Sequence, residues 1–179
     1  MGERNFTERE FEIMCEYDHR IDNVEYGLKA GLHLGFPPEK AVSVAPGAIV
    51  NCCSRQDIGY AVRIGPYTYI NGKVIIGDHV LIGPHCSIAA GNHKFDPETG
   101  WFSARTEKDG DDSIEIGFGS WLASNVTVTA GVKIGRANLI CAGAVVTKST
   151  EDYAIMAGVP AKKIGHIDPV SGTYIWKKD

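Results

Sequence analysis

The sequence predicts a mainly β fold, a parallel β-helix of six-residue repeats, with a short helical segment before it and one projecting loop. An aliphatic residue recurs at every sixth position in two runs, a period that fits neither a helix nor a simple hairpin. A second set of mostly small or β-branched residues follows four positions after each aliphatic one. The first set comprises Ile58, Ile64, Ile70, Ile76, Ile82 and Ile88, then Ile116, Leu122, Val128, Ile134, Ile140 and Val146. The second comprises Val62, Thr68, Val74, Val80 and Cys86, then Ser120, Val126, Val132, Asn138 and Ala144.

The composition predicts one globular domain with no preference for polyanions. The chain has 179 residues and a formal net charge of −4, which argues against nucleic acid or an anionic membrane surface as partner. No apolar run approaches the ~20 residues that span a bilayer, and the N-terminus lacks the apolar core of a signal peptide. We therefore expect a cytoplasmic protein with reduced thiols. The cysteines are Cys15, Cys52, Cys53, Cys86 and Cys141.

The ends of the repeat set the predicted domain boundaries. Val44 and Val50 keep the period, but Val50 and Ile58 are eight positions apart, so two residues should bulge out between them. Before the repeat, Thr7 and Glu10 form a capping box, and a helical stripe of apolar residues predicts one or two helices over about 8–30. We expect an N-terminal helical cap over 1–40, a β-helix over 41–164 with a loop at about 90–113, and a tail over 165–179.

Two stretches of the chain resemble a known family. "VIIGDHVLIGPHCSI" and "SWLASNVTVTAGVKIGRANLICAGAVVTKST", followed by "AGVPAKKI", are similar to hexapeptide-repeat acyltransferases of the maltose, galactoside and nodulation type. The resemblance covers roughly residues 58–164. It implies a left-handed β-helix in which positions 18 apart stack, with Gly and Asn at the strained corners. It also implies acetyl-CoA as acyl donor, no metal, and a homotrimer with active sites between subunits.

The repeat is interrupted once, and a histidine stands at the start of the interruption. Ile88 and Ile116 are 28 positions apart where the repeat requires six, so 22 residues leave the coil as an arm. An insertion of this length inside a compact fold is usually functional or disordered. By itself His93 is an ordinary loop histidine. However, "NHKFDP" resembles the H-x-x-D-P motif of the family, which implies that His93 is the general base.

This chemistry requires a base and an oxyanion donor. An acceptor hydroxyl is a poor nucleophile unless its proton is removed, and a neutral imidazole can accept that proton. The developing oxyanion needs a fixed hydrogen-bond donor. The family pattern at Trp121-Leu122-Ala123-Ser124 implies that the backbone N–H of Ser124 supplies it.

The resemblance also implies the residues that bind the two substrates. Acceptor-binding positions are Asn71, Asp96 and Trp121, although Trp121 can equally be a structural shield, and Asp96 can instead orient His93. Coenzyme-binding positions are Ala142, Thr147, Lys148, Lys162 and Lys163, the last two being suited to phosphates. The alternative for each lysine is a solvated basic end of the solenoid.

Other functions on the same scaffold remain as alternatives. An N-acetyltransferase of an amino sugar or antibiotic would use the same histidine, and the sequence does not separate it from an O-acetyltransferase. A zinc site of the γ-carbonic anhydrase type is disfavoured, because no two histidines are five apart, and His79 and His85 should lie on different faces. Cys86 and Cys141 fall within the repeat, where packing is a better interpretation than nucleophilic catalysis.

Overall fold

The computed structural model describes residues 24–52, 54–103 and 112–177. One α-helix, α1 (Val24–His33), precedes the strands, and short 3-10 helices occupy Pro38–Lys40 and Arg55–Asp57. The strands are β1 (Ser43–Val44), β2 (Ile49–Cys52), β3 (Arg63–Ile64), β4 (Tyr69–Gly72), β5 (Val74–Ile76), β6 (Leu81–Ile82), β7 (Ser87–Ala89), β8 (Phe95–Asp96), β9 (Trp101–Phe102), β10 (Ile114–Ile116), β11 (Trp121–Leu122), β12 (Thr127–Val128), β13 (Lys133–Ile134), β14 (Leu139–Ile140), β15 (Val145–Val146), β16 (Ala154–Ala157), β17 (Lys162–Ile167) and β18 (Tyr174–Trp176).

The strands form the three faces of a parallel solenoid, as predicted. The first face contains β1, β3, β6, β11, β14 and β16, all parallel, and continues into the antiparallel strands β17 and β18. The second face contains β2, β4, β7, β12 and β15, and the third contains β5, β10 and β13. From β1 to β15 the chain visits the faces in this order, with an isolated bridge at Ile58 on the third face of the first coil, so the predicted β-helix is confirmed.

The strand register confirms the spacing that the repeat predicts. Ile58 pairs with Ile76 and Ile116 pairs with Ile134, each 18 positions on. Val50 pairs with Ile70 at 20 positions, which locates the predicted two-residue bulge, and the 3-10 helix Arg55–Asp57 lies in it. Ile76 pairs with Ile116 at 40 positions, which is one coil plus the 22-residue insertion.

Both sets of repeat residues point into the tube. The first set fills it with aliphatic side chains, and Ile58, Ile70, Ile88 and Leu122 are completely buried. The second set is buried as well, and its polar members bind backbone groups of adjacent coils. Ser120 Oγ donates to Gly135 O at 2.9 Å and accepts from Asn138 N at 3.1 Å, so a buried hydroxyl links two coils.

The corners confirm in part the expectation that Gly and Asn tolerate their strain, since Gly119, Gly131 and Asn125 are left-handed there. Several left-handed positions carry large side chains, among them Tyr67 (φ 56°), His79 (φ 58°) and His85 (φ 58°). The glycine that follows many first-set residues serves close stacking instead. A Cβ atom on Gly83 would lie 2.8 Å from the carbonyl carbon of Ala123 in the next coil.

The helix α1 packs against the first coil. Gly27 and Gly31 face it, and a Cβ atom on Gly31 would lie 2.1 Å from the carbonyl oxygen of Val42. The helix ends in a Schellman motif, with bonds from Gly35 N to Leu32 O and from Phe36 N to Gly31 O. A helix is therefore present beside the end of the solenoid, but it extends to residue 33 rather than 30. The capping box and the start of the predicted helix lie outside the described residues.

The C-terminal residues extend the first face instead of forming a separate tail. The predicted boundary at 164 falls inside β17, which pairs antiparallel with β16 and then with β18. Tyr174 and Trp176 stack on each other at the outer edge, with ring centroids 6.3 Å apart. None of the described helices is both long enough and apolar enough to cross a bilayer.

Candidate active site

The arm leaves the solenoid between the second and third faces as a short hairpin. Its strands β8 and β9 pair antiparallel, and the rings of Phe95 and Phe102 meet edge to face at 5.5 Å. Asn92 N and Asn92 Nδ2 donate to the two carboxylate oxygens of Asp112, at 3.2 and 2.9 Å. This clamp joins the two ends of the insertion and fixes the point from which the arm projects.

His93 lies directly after that clamp and is exposed. Its Nδ1 atom lies 2.8 Å from the carbonyl oxygen of Ser103, on the returning strand of the arm. A carbonyl oxygen only accepts, so Nδ1 carries the proton in the neutral ring and Nε2 keeps its lone pair. The ring thus has one nitrogen held by the arm and the other available as a base.

Asp96 caps the turn of the hairpin. Its Oδ1 atom accepts a hydrogen bond from Glu98 N at 2.9 Å. This bond, followed by one from the Thr99 side chain, lowers the pKa of the Asp96 carboxyl. The ring of His93 is held by Ser103 and makes no hydrogen bond with Asp96, so the alternative role for Asp96 in orienting the histidine is filled by the Ser103 carbonyl.

A column of outward-facing residues runs along the edge where the second face ends. Each member follows a buried residue of the second face, and the strand register stacks them from coil to coil. The column consists of Asn51, Asn71, Ala89, Thr129 and Thr147. The arm leaves just after Ala89, so Asn71 lies on one side of its root and Thr147 on the other. Lys148 follows Thr147 and is exposed at the same corner.

The predicted oxyanion donor lies at a different corner of the same chain. Ser124 follows β11 of the first face, at the turn toward the second face, and its carbonyl oxygen accepts from Gly143 N at 2.9 Å. Ala142, before Gly143, stacks above it in the next coil. Trp121 lies on the outer side of the first face with 47% of its surface exposed. Within one chain, therefore, the arm that carries His93 leaves the coil at the edge of Asn71 and Thr147, whereas Ser124, Ala142 and Trp121 lie on or beside the first face.

The two lysines of the predicted basic pair differ in their contacts with the described residues. Lys162 is exposed at the start of β17. Lys163 forms an ion pair with Glu151, and its hydrogen bond and charge lower the pKa of the Glu151 carboxyl. Thus part of the charge of Lys163 is already compensated within the chain.

The described cysteines are free thiols, and two of them are poor candidates for a nucleophile. Burial raises the pKa of Cys86, whose Sγ lies 3.1 Å from the carbonyl oxygen of Ala123. Desolvation also raises the pKa of Cys141. Cys15 and Cys53 lie outside the described residues.

The described histidines do not form a metal cluster. His79 meets Tyr60 and Phe118 edge to face at one corner, and His85 stacks on Tyr67 at another, as the repeat spacing predicts. Within residues 24–52, 54–103 and 112–177, no group of three or more His, Cys, Asp or Glu side chains is placed to hold a metal ion.

Sequence reasoning did not identify three residues that organise this site. Asn92 and Asp112 clamp the arm, and Ser103 supplies the carbonyl that holds His93. A fourth, Asn51, donates from Nδ2 to Asn71 Oδ1 at 2.8 Å. Of these four residues, only Asn51 could have been identified from the sequence, because it follows Val50 in the repeat as Asn71 follows Ile70.

The fold and the six-residue repeat are those of hexapeptide-repeat solenoid proteins, and comparisons with known sequences point to the same class. Residues 58–90 match the family model described as bacterial transferase hexapeptide (six repeats). The galactoside O-acetyltransferase of Escherichia coli K12 is 34% identical over 130 residues, which is 66% of this chain and 61% of that protein. The chain thus spans less than two thirds of that relative.

Solved structures share the fold. A maltose O-acetyltransferase from Clostridium difficile 630 superposes with a TM-score of 0.56 at 21% identity, covering 89% of this chain and 86% of that one. A variant of AntD, an N-acyltransferase from Bacillus cereus in complex with dTDP-4-amino-4,6-dideoxyglucose and coenzyme A, gives 0.60 at 19% identity, covering 70% and 69%. The family-model match and the similarity to a galactoside O-acetyltransferase support a hexapeptide-repeat acetyltransferase family for this chain.

Proposed function

We propose that this protein transfers an acetyl group from acetyl-CoA to a hydroxyl of a sugar or glycan precursor, with His93 as general base. The observation that carries the proposal is the contact of His93 Nδ1 with the Ser103 carbonyl, because it leaves Nε2 to accept a proton. The match to the family model, and the O-acetyltransferases among the relatives, support the donor and the reaction class.

In this proposal both substrates are bound together and the acetyl group moves directly. Nε2 of His93 takes the hydroxyl proton as the acceptor oxygen bonds to the thioester carbonyl carbon. The oxyanion that forms accepts a hydrogen bond from Ser124 N. The carbon–sulfur bond then breaks, the ester is released, and the imidazolium returns the proton to the thiolate of coenzyme A.

The proposed binding residues lie on either side of the arm, except for Trp121 and Ala142, which the Ser124 corner of a second copy would supply. On the side of the early coils, Asn71 contacts the acceptor, and Asp96 and Trp121 complete its pocket. On the side of the late coils, the coenzyme is held by Ala142, Thr147, Lys148, Lys162 and Lys163. Because the arm leaves the coil between Asn71 and Thr147, His93 stands where an acceptor and a thioester bound on these two sides would meet.

The proposed assembly is a homotrimer with three shared sites. His93 and Ser124 lie at different corners of one chain, so a catalytic site needs the Ser124 corner of a second copy. The arm supports such an interface, since Phe95, Trp101 and Phe102 are 50, 65 and 66% exposed in the single chain. Apolar surface of this kind favours contact with another protein surface.

N-acylation of an amino sugar is the second candidate. It would use the same base and the same donor, with a neutral amine in place of the hydroxyl. Its support is the similar fold of AntD, an N-acyltransferase crystallised with an amino sugar nucleotide.

The test is a panel of acceptors assayed with acetyl-CoA by thiol release. Sugars and glycan fragments with free hydroxyls should be acetylated, and matched amino sugars should separate the two candidates. We expect turnover to be unchanged by a chelator or by added zinc. A panel in which no acceptor, hydroxyl or amine, increases thiol release above acetyl-CoA hydrolysis would contradict both candidates.

A further inference from the structure

Two asparagine side chains are hydrogen-bonded to each other beside the root of the arm. Asn51 and Asn71 are register partners on β2 and β4, and Asn51 Nδ2 donates to Asn71 Oδ1 at 2.8 Å. Each follows a buried residue, Val50 or Ile70, so both amides project outward from the edge of the second face. Such a contact can stabilise the stacking of two coils, or it can orient one amide for a ligand.

The bond fixes which part of the Asn71 amide faces outward. Its Oδ1 atom is occupied by Asn51, so the amide presents its Nδ2 donor group to any molecule beside it. Within the described part of the chain, neither side-chain amide makes another hydrogen bond. The Asn71 Nδ2 group is therefore a directed and unused donor.

The backbone of Asn71 is held as firmly as its side chain. Its carbonyl oxygen accepts from Ala90 N at 2.9 Å, at the point where the arm leaves. A Cβ atom on the next residue, Gly72, would lie 2.5 Å from the carbonyl oxygen of Ala90. The root of the arm thus rests directly on Asn71, whose register partner is Ala89, four residues before His93.

We propose that Asn51 is a positioning residue that holds Asn71 with its amide donor turned toward the acceptor substrate. This inference rests on the proposed acetyltransferase function. It predicts that the acceptor pocket offers a hydrogen-bond donor at this edge. The bound molecule must therefore place an acceptor, such as a hydroxyl or ring oxygen, opposite Asn71 Nδ2. Asn51 acts through Asn71 and does not contact the reacting atoms.

The outward orientation of the Asn71 donor predicts different effects on KM for two substitutions of Asn51. Asn51→Ala removes the donor and lets the Asn71 amide rotate. Asn51→Asp places an acceptor opposite Oδ1, so Asn71 turns to donate to the carboxylate and presents its own oxygen outward. Both should raise KM for the acceptor, by about fivefold for alanine and more for aspartate, the effect of losing one or more hydrogen bonds. The kcat value and KM for acetyl-CoA should change by less than about twofold.

A double-mutant cycle distinguishes two roles of Asn51: orienting the Asn71 amide and stabilising the contact between two coils. In an Asn71→Ala background, Asn51→Ala should have no further effect on KM, because there is no amide left to orient. Ser54→Ala is the matched control: it removes another polar hydrogen bond of the same coil, from Gln56 N to Ser54 Oγ at 3.1 Å, and should leave KM unchanged. Equal effects of Asn51→Ala with and without Asn71, or a lower melting temperature with unchanged KM, would overturn the proposal.

An independent readout keeps this inference distinct from the proposed function. In side-chain amide NMR spectra, Asn51→Asp should shift the Nδ2 resonance of Asn71, which becomes a donor to a carboxylate. If the wild-type protein acetylates no acceptor, the proposed function fails while this measurement still tests the orientation. An unshifted Asn71 resonance shows that Asn51 does not orient it, whether or not the enzyme turns over.

Discussion

The imidazole of His93 and the carbonyl of Ser103, ten positions apart, are joined at 2.8 Å across the two strands of the arm. The contact selects the neutral tautomer that leaves Nε2 unprotonated, because the carbonyl can only accept. It also makes the orientation of the ring depend on the closed hairpin. The same feature that interrupts the repeat therefore positions the residue that we propose as the base.

Removing the base should abolish the chemical step and leave binding intact. For His93→Ala we expect kcat to fall by about 10²–10⁴-fold, the usual contribution of general base catalysis, with the affinity for acetyl-CoA nearly unchanged. Steady-state kinetics and calorimetric titration with the coenzyme measure the two quantities.

His93→Asn provides the control for a structural role. An asparagine amide can occupy the position of Nδ1 and donate to Ser103 O, but it has no group at the position of Nε2. This variant should keep the stability of the wild type and lose as much kcat as His93→Ala. Retention of more than about a third of the activity by either variant is incompatible with general base catalysis by His93.

The two lysines of β17 should contribute unequally to coenzyme binding. Lys162→Met is expected to raise KM for acetyl-CoA by about fivefold or more, the loss of one hydrogen bond to a charged group. Lys163→Met should raise it by less than about twofold, since a half-buried lysine already paired with Glu151 has less free charge to offer. The hydrogen bond and charge of Lys163 lower the pKa of Glu151, so the Glu151 carboxylate loses its charge only in acid.

A coenzyme lacking its 3′-phosphate tests the assignment to phosphate. The effect of Lys162→Met should shrink with dephospho-acetyl-CoA if that phosphate is the partner. Glu151→Gln should release Lys163 and lower KM for acetyl-CoA. Equal effects of both lysine variants, unchanged by the phosphate or by Glu151→Gln, would assign the pair to the solvated end of the solenoid.

A buried thiol should be dispensable for turnover. Burial raises the pKa of Cys86, so its thiolate is scarce at neutral pH, and alkylation by iodoacetamide should be slow in the folded protein. Cys86→Ala should keep kcat within about threefold of the wild type while losing roughly 1 kcal/mol of unfolding free energy from the cavity. Urea titration and kinetics on one preparation give both numbers, and an inactive but folded variant would revive a cysteine nucleophile.

The solenoid could be predicted because the six-residue period of its aliphatic residues corresponds to one face of each coil. Each face of a coil carries one aliphatic residue of the first set, so three steps of six bring Ile76 into register with Ile58. The same arithmetic gave the 22-residue insertion and the two-residue bulge. In a repeat protein, the residues that pair between neighbouring coils follow from the repeat length alone, so the pairing can be predicted without knowing the packing energies.

The corners and the arm could not be predicted in the same way. His79 and His85 occupy left-handed corner positions that the repeat does not identify, and their rings contact Tyr60, Phe118 and Tyr67. The Ser103 contact of His93 depends on how an irregular hairpin closes, which no period describes. The family motif identified His93, but only the structure shows which nitrogen the arm holds.

The arm and the assembly can be tested together. Equilibrium sedimentation should show a homotrimer, because one chain holds His93 and Ser124 at separate corners and exposes the aromatic residues of the arm. Deleting residues 99–110 should destroy acceptor use and the fixed position of His93, since Trp101, Phe102 and Ser103 are lost. The coils should remain folded, because the described part of this range, residues 99–103, belongs to the hairpin of the arm and the coil resumes where β10 pairs with β5. Circular dichroism checks the coils, and Phe102→Ala, which keeps the Ser103 backbone, separates the apolar contact from the histidine contact. A fully active monomer would exclude shared sites, and an unchanged kcat/KM for the acceptor in the deletion variant would show that the arm has no part in catalysis.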